Sequence, residues 1–190
     1  VENTRRFGAG VVLAGDTFDD ARLHGLQLAQ QRGLTLVHPY DDLAVMAGQG
    51  TIALEMLAAQ PAIDTLLVAV GGGGLISGMA TAARALRPGI QVFGVQTERF
   101  PPVWNAVRGE LRECAQATIA DGIAVKSPGA LTVPLIRERV ADMLLVGEDD
   151  IEQSILLLLE IEKTVVEGAG AVGLAALLKH RGRFAGRHVG

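Results

Sequence analysis

Four consecutive glycines, Gly71-Gly72-Gly73-Gly74, stand between an apolar run and an amphipathic one. Lacking Cβ atoms, they let the backbone turn sharply and bring its N–H groups close to an anion. A helix opening at their end adds the positive end of its dipole. The chemistry this supports is phosphate binding. The competing reading is a tight strand-to-helix crossover with no ligand, for which one glycine is enough. The residues around the run narrow the choice of phosphate. Gly73 and Gly78 have the P-loop spacing, but Met79 and Ala80 stand where that motif needs a lysine and a hydroxyl. The dinucleotide fingerprint fails too, because Ser77 takes the place of its third glycine. Its ribose-binding acid would have to be Glu98, and Gln96 ends the strand more directly. A cofactor with a single phosphate fits best.

The remaining polar and aromatic residues make less specific patterns. Ser77 is not framed as Gly-x-Ser-x-Gly, which excludes a hydrolase nucleophile elbow. His38 with Asp41 and Asp42 offers metal-ligand chemistry, but three such groups in a turn are more often solvent-facing, and no metal site is expected. Glu167, just ahead of Gly168-Ala169-Gly170, reads on its own as a helix cap. Gln49, Gly50 and Thr51 either shape a pocket or begin a helix. His24 is a packing or surface residue. Phe100 and Trp104, in a proline-containing loop, form a flap or an interface. The leucines at 156–159 read as core or subunit contact.

These residues need a scaffold, and the hydrophobic pattern supplies one. Short apolar runs predict strands at residues 11–14, 34–38, 65–70, 90–95 and 142–146. Longer amphipathic stretches predict the helices between them. The first opens with a Thr17 and Asp20 capping box and is stopped by Gly33. Others cover about 50–59, a stretch through Met79, Ala83 and Leu86, then 130–140, 149–162 and 170–180, with a turn at 39–42. The run at 65–70 is apolar on both faces, as a central parallel strand should be. The fold class is therefore α/β with a mostly parallel sheet.

Composition agrees. Hydrophobic residues are 49% of the 190 and aromatics only 4%, which suits aliphatic strands packed between Ala- and Leu-rich helices. A formal charge of −4 with no basic stripe argues against a nucleic-acid partner. The single Cys114 excludes an internal disulfide framework and a four-cysteine zinc site. The apolar runs are too short for a membrane span, no signal peptide is visible, and a cytoplasmic setting is expected. The opening at Val1 and the abrupt Arg187-His188-Val189-Gly190 end read as an excised piece.

The stretch Leu67-Val68-Ala69-Val70-Gly71-Gly72-Gly73-Gly74-Leu75-Ile76-Ser77-Gly78 resembles the phosphate loop of the serine/threonine dehydratase family of fold-type-II pyridoxal-phosphate enzymes. Other segments agree in order and spacing. They are His38-Pro39 with Ala47-Gly48-Gln49-Gly50-Thr51-Ile52-Ala53-Leu54-Glu55, then Gly94-Val95-Gln96-Thr97-Glu98, Ile119-Ala120-Asp121-Gly122-Ile123 and Val166-Glu167-Gly168-Ala169-Gly170-Ala171. Gln96 and residues 119–126 look more like threonine dehydratase than serine racemase.

The resemblance implies a three-layer, tryptophan-synthase-β-like fold, with residues 1–42 in a smaller α/β domain and 43–190 in most of a larger one. It implies pyridoxal 5'-phosphate as cofactor, held by Gly71, Gly72, Gly73, Gly74 and Leu75, with Gly122 in the pocket wall and Glu167 near the cofactor ring. The implied reaction is β-elimination from L-threonine or L-serine, giving a 2-oxo acid and ammonia, in a homo-oligomer, dimer or tetramer, placed in isoleucine biosynthesis. A serine-racemase-like enzyme or a phosphate-binding module without catalysis are the alternatives. The Schiff-base lysine is expected upstream of Val1, since none of Lys126, Lys163 and Lys179 has the required context. The family's divalent-cation site uses a glutamate where this chain has Gln96 and an acidic residue near Pro102.

Overall fold

A computed structural model describes residues 1–16 and 18–190, which divide into two compact units, Val1–Val37 and His38–Gly190. The first unit holds helices α1 (Glu2–Arg6) and α2 (Phe18–Arg32). Gly33 ends α2 at φ 62°, and the Leu34 N–H closes on the Ala29 carbonyl. Thr17, half of the expected capping box, lies outside the described residues, while the Asp20 carboxylate accepts the Asp16 N–H. Residues 11–14 and 34–38, expected as strands, are not strands. A strand exists through its ladder, and neither segment finds a partner among the described residues. Leu13 and Val37 accordingly stand 73% and 74% exposed.

The second unit is built on strands β1 (Thr65–Ala69), β2 (Gln91–Thr97) and β3 (Asp142–Val146), in the order β1-β2-β3 and all parallel. Beyond β1, Val189 bridges Thr65 in parallel, with the Gly190 N–H on the Thr65 carbonyl and the Leu67 N–H on the Gly190 carbonyl. Alternation along the strands sorts their side chains to two faces. Leu66, Val68 and Val92 join a core with Ala53 and Leu57 of α3 (Leu43–Ala59), Ile76 and Ala80 of α4 (Gly74–Leu86) and Ile136 of α6 (Thr132–Arg139). Phe93, Val95 and Leu144 join a second core with Ile151 of α7 (Glu148–Glu160) and Val172 and Ala175 of α8 (Gly168–Lys179). Helix, sheet, helix is thus the layering, a parallel sheet buried on both faces.

Helix α3 begins at Leu43, well ahead of the expected residue 50, because Asp42 caps it by accepting the Ala44 and Val45 N–H groups at 2.8 and 3.0 Å. Gln49, Gly50 and Thr51 therefore lie mid-helix. Gly50 meets Gly78 of α4 there. A Cβ on Gly78 would lie 2.0 Å from the Met46 carbonyl oxygen, so the two backbones cross in direct contact. The proline-containing loop also holds an unexpected helix, α5 (Pro102–Arg108), with Pro102 at its first turn and Gly109 ending it at φ 70°. Phe100 and Trp104 are 2% and 8% exposed core residues, which corrects the flap or interface reading. Arg112 stacks over the Trp104 ring at 4.4 Å.

Candidate functional site

The glycine run sits where β1 gives way to α4. Val70 is still tied to the sheet through the Val95 carbonyl, and Gly73 is the N-cap of α4 at φ 102°. A side chain at Gly73 would meet a left-handed backbone as well as Thr132 Oγ1 at 2.8 Å. The neighbouring glycines have their own steric reasons. A Cβ on Gly72 would strike the Tyr40 ring at 2.3 Å, and one on Gly74 the Tyr40 backbone at 2.7 Å. One turn would need one glycine; the approach of Tyr40 to Gly72 and Gly74, and of Thr132 to Gly73, accounts for three of the four.

The N–H groups of Gly72, Gly73, Gly74, Leu75 and Ile76 find no protein acceptor among the described residues. The first turn of any helix leaves such donors, but Gly72, Gly73, Gly74 and Ile76 are buried, where an unpaired N–H is costly. Their carbonyl neighbours are fully engaged. Gln96 Nε2 donates to the Gly71 carbonyl at 3.3 Å, and the Gly72 carbonyl accepts from Thr132 Oγ1 at 2.7 Å and the Gly129 N–H at 3.1 Å. Donors without acceptors on one side and hydrogen-bonded carbonyls on the other are an arrangement that suits an anion.

Two further segments pack on it. In the turn at 38–42, His38 Nδ1 accepts the Tyr40 and Asp41 N–H groups, and the His38 and Tyr40 rings meet edge-on at 4.6 Å. Tyr40 donates its hydroxyl to the Ser127 carbonyl at 3.0 Å. The Asp41 carboxylate accepts the Ala130 and Leu131 N–H groups at 2.9 and 2.8 Å, at the start of α6. This turn is half-buried and committed to backbone donors, not the solvent-facing group expected, and it belongs to the second unit.

On the other side, a Cβ on Gly71 would lie 3.4 Å from the Ile123 Cα, and one on Gly122 would lie 3.0 Å from Glu167 Oε1. Gly71, Gly122 and Glu167 are thus linked through the segment at 119–125. Glu167 is the N-cap residue of α8 yet makes no capping hydrogen bond, and its exposed carboxylate turns toward Gly122 instead. Glu148 anchors the same segment, accepting from the Thr118 hydroxyl at 2.6 Å, the Ile119 N–H at 2.8 Å and the Thr97 hydroxyl at 3.1 Å. Burial alone would raise its pKa, but these hydrogen bonds, with Arg99 nearby, hold it below the ordinary glutamate value.

The lysines are elsewhere. Lys179 bridges Asp150 and Glu98 at 2.8 and 3.0 Å; burial works against its charge, and these partners still raise its pKa. Lys163 reaches the Glu160 carbonyl, and Lys126 is exposed. No group of three or more His, Cys, Asp or Glu placed to hold a metal occurs among the described residues.

Residues 1–190 match the family described as pyridoxal-phosphate dependent enzyme. The chain belongs to that family. An L-threonine ammonia-lyase of Geobacter sulfurreducens is 48% identical over 180 residues, covering 94% of this chain and 45% of the relative. One of Thermotoga maritima is 46% identical with the same coverage. Among solved structures, the T.th. threonine deaminase superposes with a TM-score of 0.87 at 40% identity, covering 94% of this chain and 60% of that one. Maize serine racemase gives 0.90 at 31%, covering 99% and 60%. The chain spans about half the length of the curated relatives it matches.

The cradle fits the family's cofactor: buried, acceptorless N–H groups at a helix start suit its phosphate. Sequence reasoning placed the glycine run between a strand and a helix, where it lies, but not the residues packed on it. Tyr40, Asp41, Gly129 and Thr132 come from distant turns with no motif of their own. The Asp41-Asp42 pair, each acid beside a helix start, was the available signal.

Proposed function

We propose that the full-length protein carrying this chain is a pyridoxal-phosphate-dependent ammonia-lyase. It eliminates water from L-threonine, with L-serine as a second substrate, and the enamine set free takes up water to give 2-oxobutanoate or pyruvate with ammonia. The observation that carries this is the buried, acceptorless N–H row from Gly72 to Ile76, in a chain 48% identical to a protein named L-threonine ammonia-lyase. Gly71, Gly72, Gly73, Gly74 and Leu75 hold the cofactor phosphate through N–H groups and the α4 dipole. When bound, pyridoxal phosphate supplies the electron sink that accepts charge from the substrate Cα.

The chain's own residues bind, orient and shield. The Tyr40 ring lies on Gly72 and keeps water off that face of the loop. Gly122 leaves room that a side chain would fill, and Glu167, 3.0 Å from that position, would supply negative charge toward the cofactor ring. The proton-abstracting lysine comes from outside these residues, since Lys179 is ion-paired and Lys163 and Lys126 lie at the surface.

The test is turnover by the full-length protein with each amino acid. We expect 2-oxobutanoate from L-threonine faster than pyruvate from L-serine. D-serine as the main product would replace this reading with the racemase one, whose fold is the same. Failure to retain the cofactor would leave a phosphate-binding module.

We also infer a cytoplasmic homo-oligomer, dimer or tetramer. In support, no helix among the described residues is long and apolar enough to cross a membrane, and Leu156 and Leu159 stand 53% and 46% exposed on α7. Light scattering that gives a monomer mass would refute the oligomer. A place in isoleucine biosynthesis competes with the catabolic role named for a Staphylococcus aureus relative at 44% identity. Expression that rises under threonine excess would favour the catabolic one.

A further inference from the structure

Resting on the phosphate reading above, we propose that Gln96 and Thr132 are positioning residues that aim the cradle's N–H groups by gripping the loop from its carbonyl side. A trans peptide is planar and carries its C=O and N–H on opposite edges, and no peptide bond among the described residues is cis. Whatever holds the Gly71 carbonyl therefore sets the direction of the Gly72 N–H. Whatever holds the Gly72 carbonyl sets that of Gly73. Glycine has the widest backbone freedom of any residue, so two adjacent glycyl peptides left alone would sample many orientations.

The structure fixes both. Gln96, 0% exposed at the end of β2, donates through Nε2 to the Gly71 carbonyl and accepts the Trp104 N–H on Oε1 at 2.8 Å. Both ends of its amide are occupied, so the group cannot flip without losing one of them. Thr132, also 0% exposed, opens α6 and donates Oγ1 to the Gly72 carbonyl at 2.7 Å; its second contact, to the Gly129 carbonyl, is longer at 3.3 Å. One brace comes from the sheet and one from a helix, and they hold successive carbonyls. The N–H groups opposite are consequently oriented before any anion arrives, and the ligand does not have to order them. The identity of residue 96 matters on this account. A glutamate would keep the acceptor for Trp104, but its second oxygen could serve the Gly71 carbonyl only when protonated.

The experiment uses the full-length protein and measures two things: the dissociation constant of pyridoxal phosphate by equilibrium dialysis, and the 31P chemical shift of the bound phosphate. Thr132→Val keeps the side-chain shape and removes the donor. It should weaken binding about tenfold, roughly one hydrogen bond's worth, and move the 31P shift, while Thr132→Ser restores both. Gln96→Glu should bind poorly at about pH 8 and recover toward wild-type strength near pH 6, as the buried carboxyl takes up its proton. Each comparison is made with wild type at the same pH, because the phosphate itself titrates.

Wild-type affinity and an unchanged 31P shift in Thr132→Val, or a Gln96→Glu affinity that follows wild type across the pH range, would overturn the proposal and leave the phosphate site standing. Wild type that retains no cofactor phosphate would overturn the site and the proposal together. Should Thr132→Val not fold, the pH profile of Gln96→Glu decides alone.

Discussion

At Gly72 a single hydrogen atom separates an open loop from a blocked one. The Cβ of any other residue would lie 2.3 Å from the Tyr40 ring, and the ring is held by its hydroxyl on the Ser127 carbonyl. Gly72→Asp adds a negative charge to that collision, beside N–H groups arranged for an anion. Full-length Gly72→Asp should lose its cofactor on dialysis, seen as loss of the bound-cofactor absorbance; retention at wild-type stoichiometry would contradict the assignment. Glu148 gives a second expectation at this scale. Its pKa is depressed in the folded state, so its contribution is fully present above the unfolded glutamate value of about 4.3 and is lost as pH falls through the folded value. Glu148→Gln should lower the melting temperature near neutrality and flatten the profile below about pH 4.5. An acid limb identical to wild type would show that Glu148 is not one of the groups responsible.

Helix α4 is positioned from both ends and along its flank. Its start is the glycine loop, and its side meets α3 at Gly50 and Gly78 with only backbone between them. Gly78→Ala would put a methyl 2.0 Å from the Met46 carbonyl oxygen, an atom that cannot rotate away. The expected cost is about 3 kcal/mol, at the upper end of ordinary overpacking, measured by urea unfolding. A loss below about 0.5 kcal/mol would mean that the helices separate easily.

This crossing also shows what the sequence conveyed and what it did not. The strands of the main sheet and the helices behind them were legible because a buried parallel strand and an amphipathic helix have distinct periods, and residues 142–146 were placed to the residue. Gly50 of α3 read as part of a helix start because glycine weakens a helix interior, and its contact with Gly78 explains it there. Helix α5 hid behind Pro101-Pro102, since a proline tolerated at the first turn looks the same in sequence as one that breaks a helix. The glycine run between strand and helix was visible in the string itself. Its braces were not, because Gln96 and Thr132 reach it through hydrogen bonds that no local pattern encodes.

Across the molecule, the site residues proposed here have binding and orienting roles only, and Lys179 is committed to Asp150 and Glu98. Lys179 sits between two carboxylates that raise its pKa, which keeps it protonated and poorly nucleophilic. Borohydride reduction of the full-length holoenzyme, followed by peptide mapping, should therefore place the pyridoxyl group on a lysine outside residues 1–190. Stoichiometric label on Lys126, Lys163 or Lys179 would reverse this division of labour.

The bridge from Val189 to Thr65 bears on how the protein is made. Strand β1 lies early in the second unit, and the segment that covers its outer edge is synthesised long after it, once α8 is complete. Until then a nascent chain displays the β1 edge unpaired on a strongly apolar strand, the kind of surface that recruits other strands. Chaperone dependence during translation should be greatest in the interval between the emergence of β1 and that of residues 188–190. A ribosome-bound chain stalled within that interval should aggregate on release more readily than one stalled just after it.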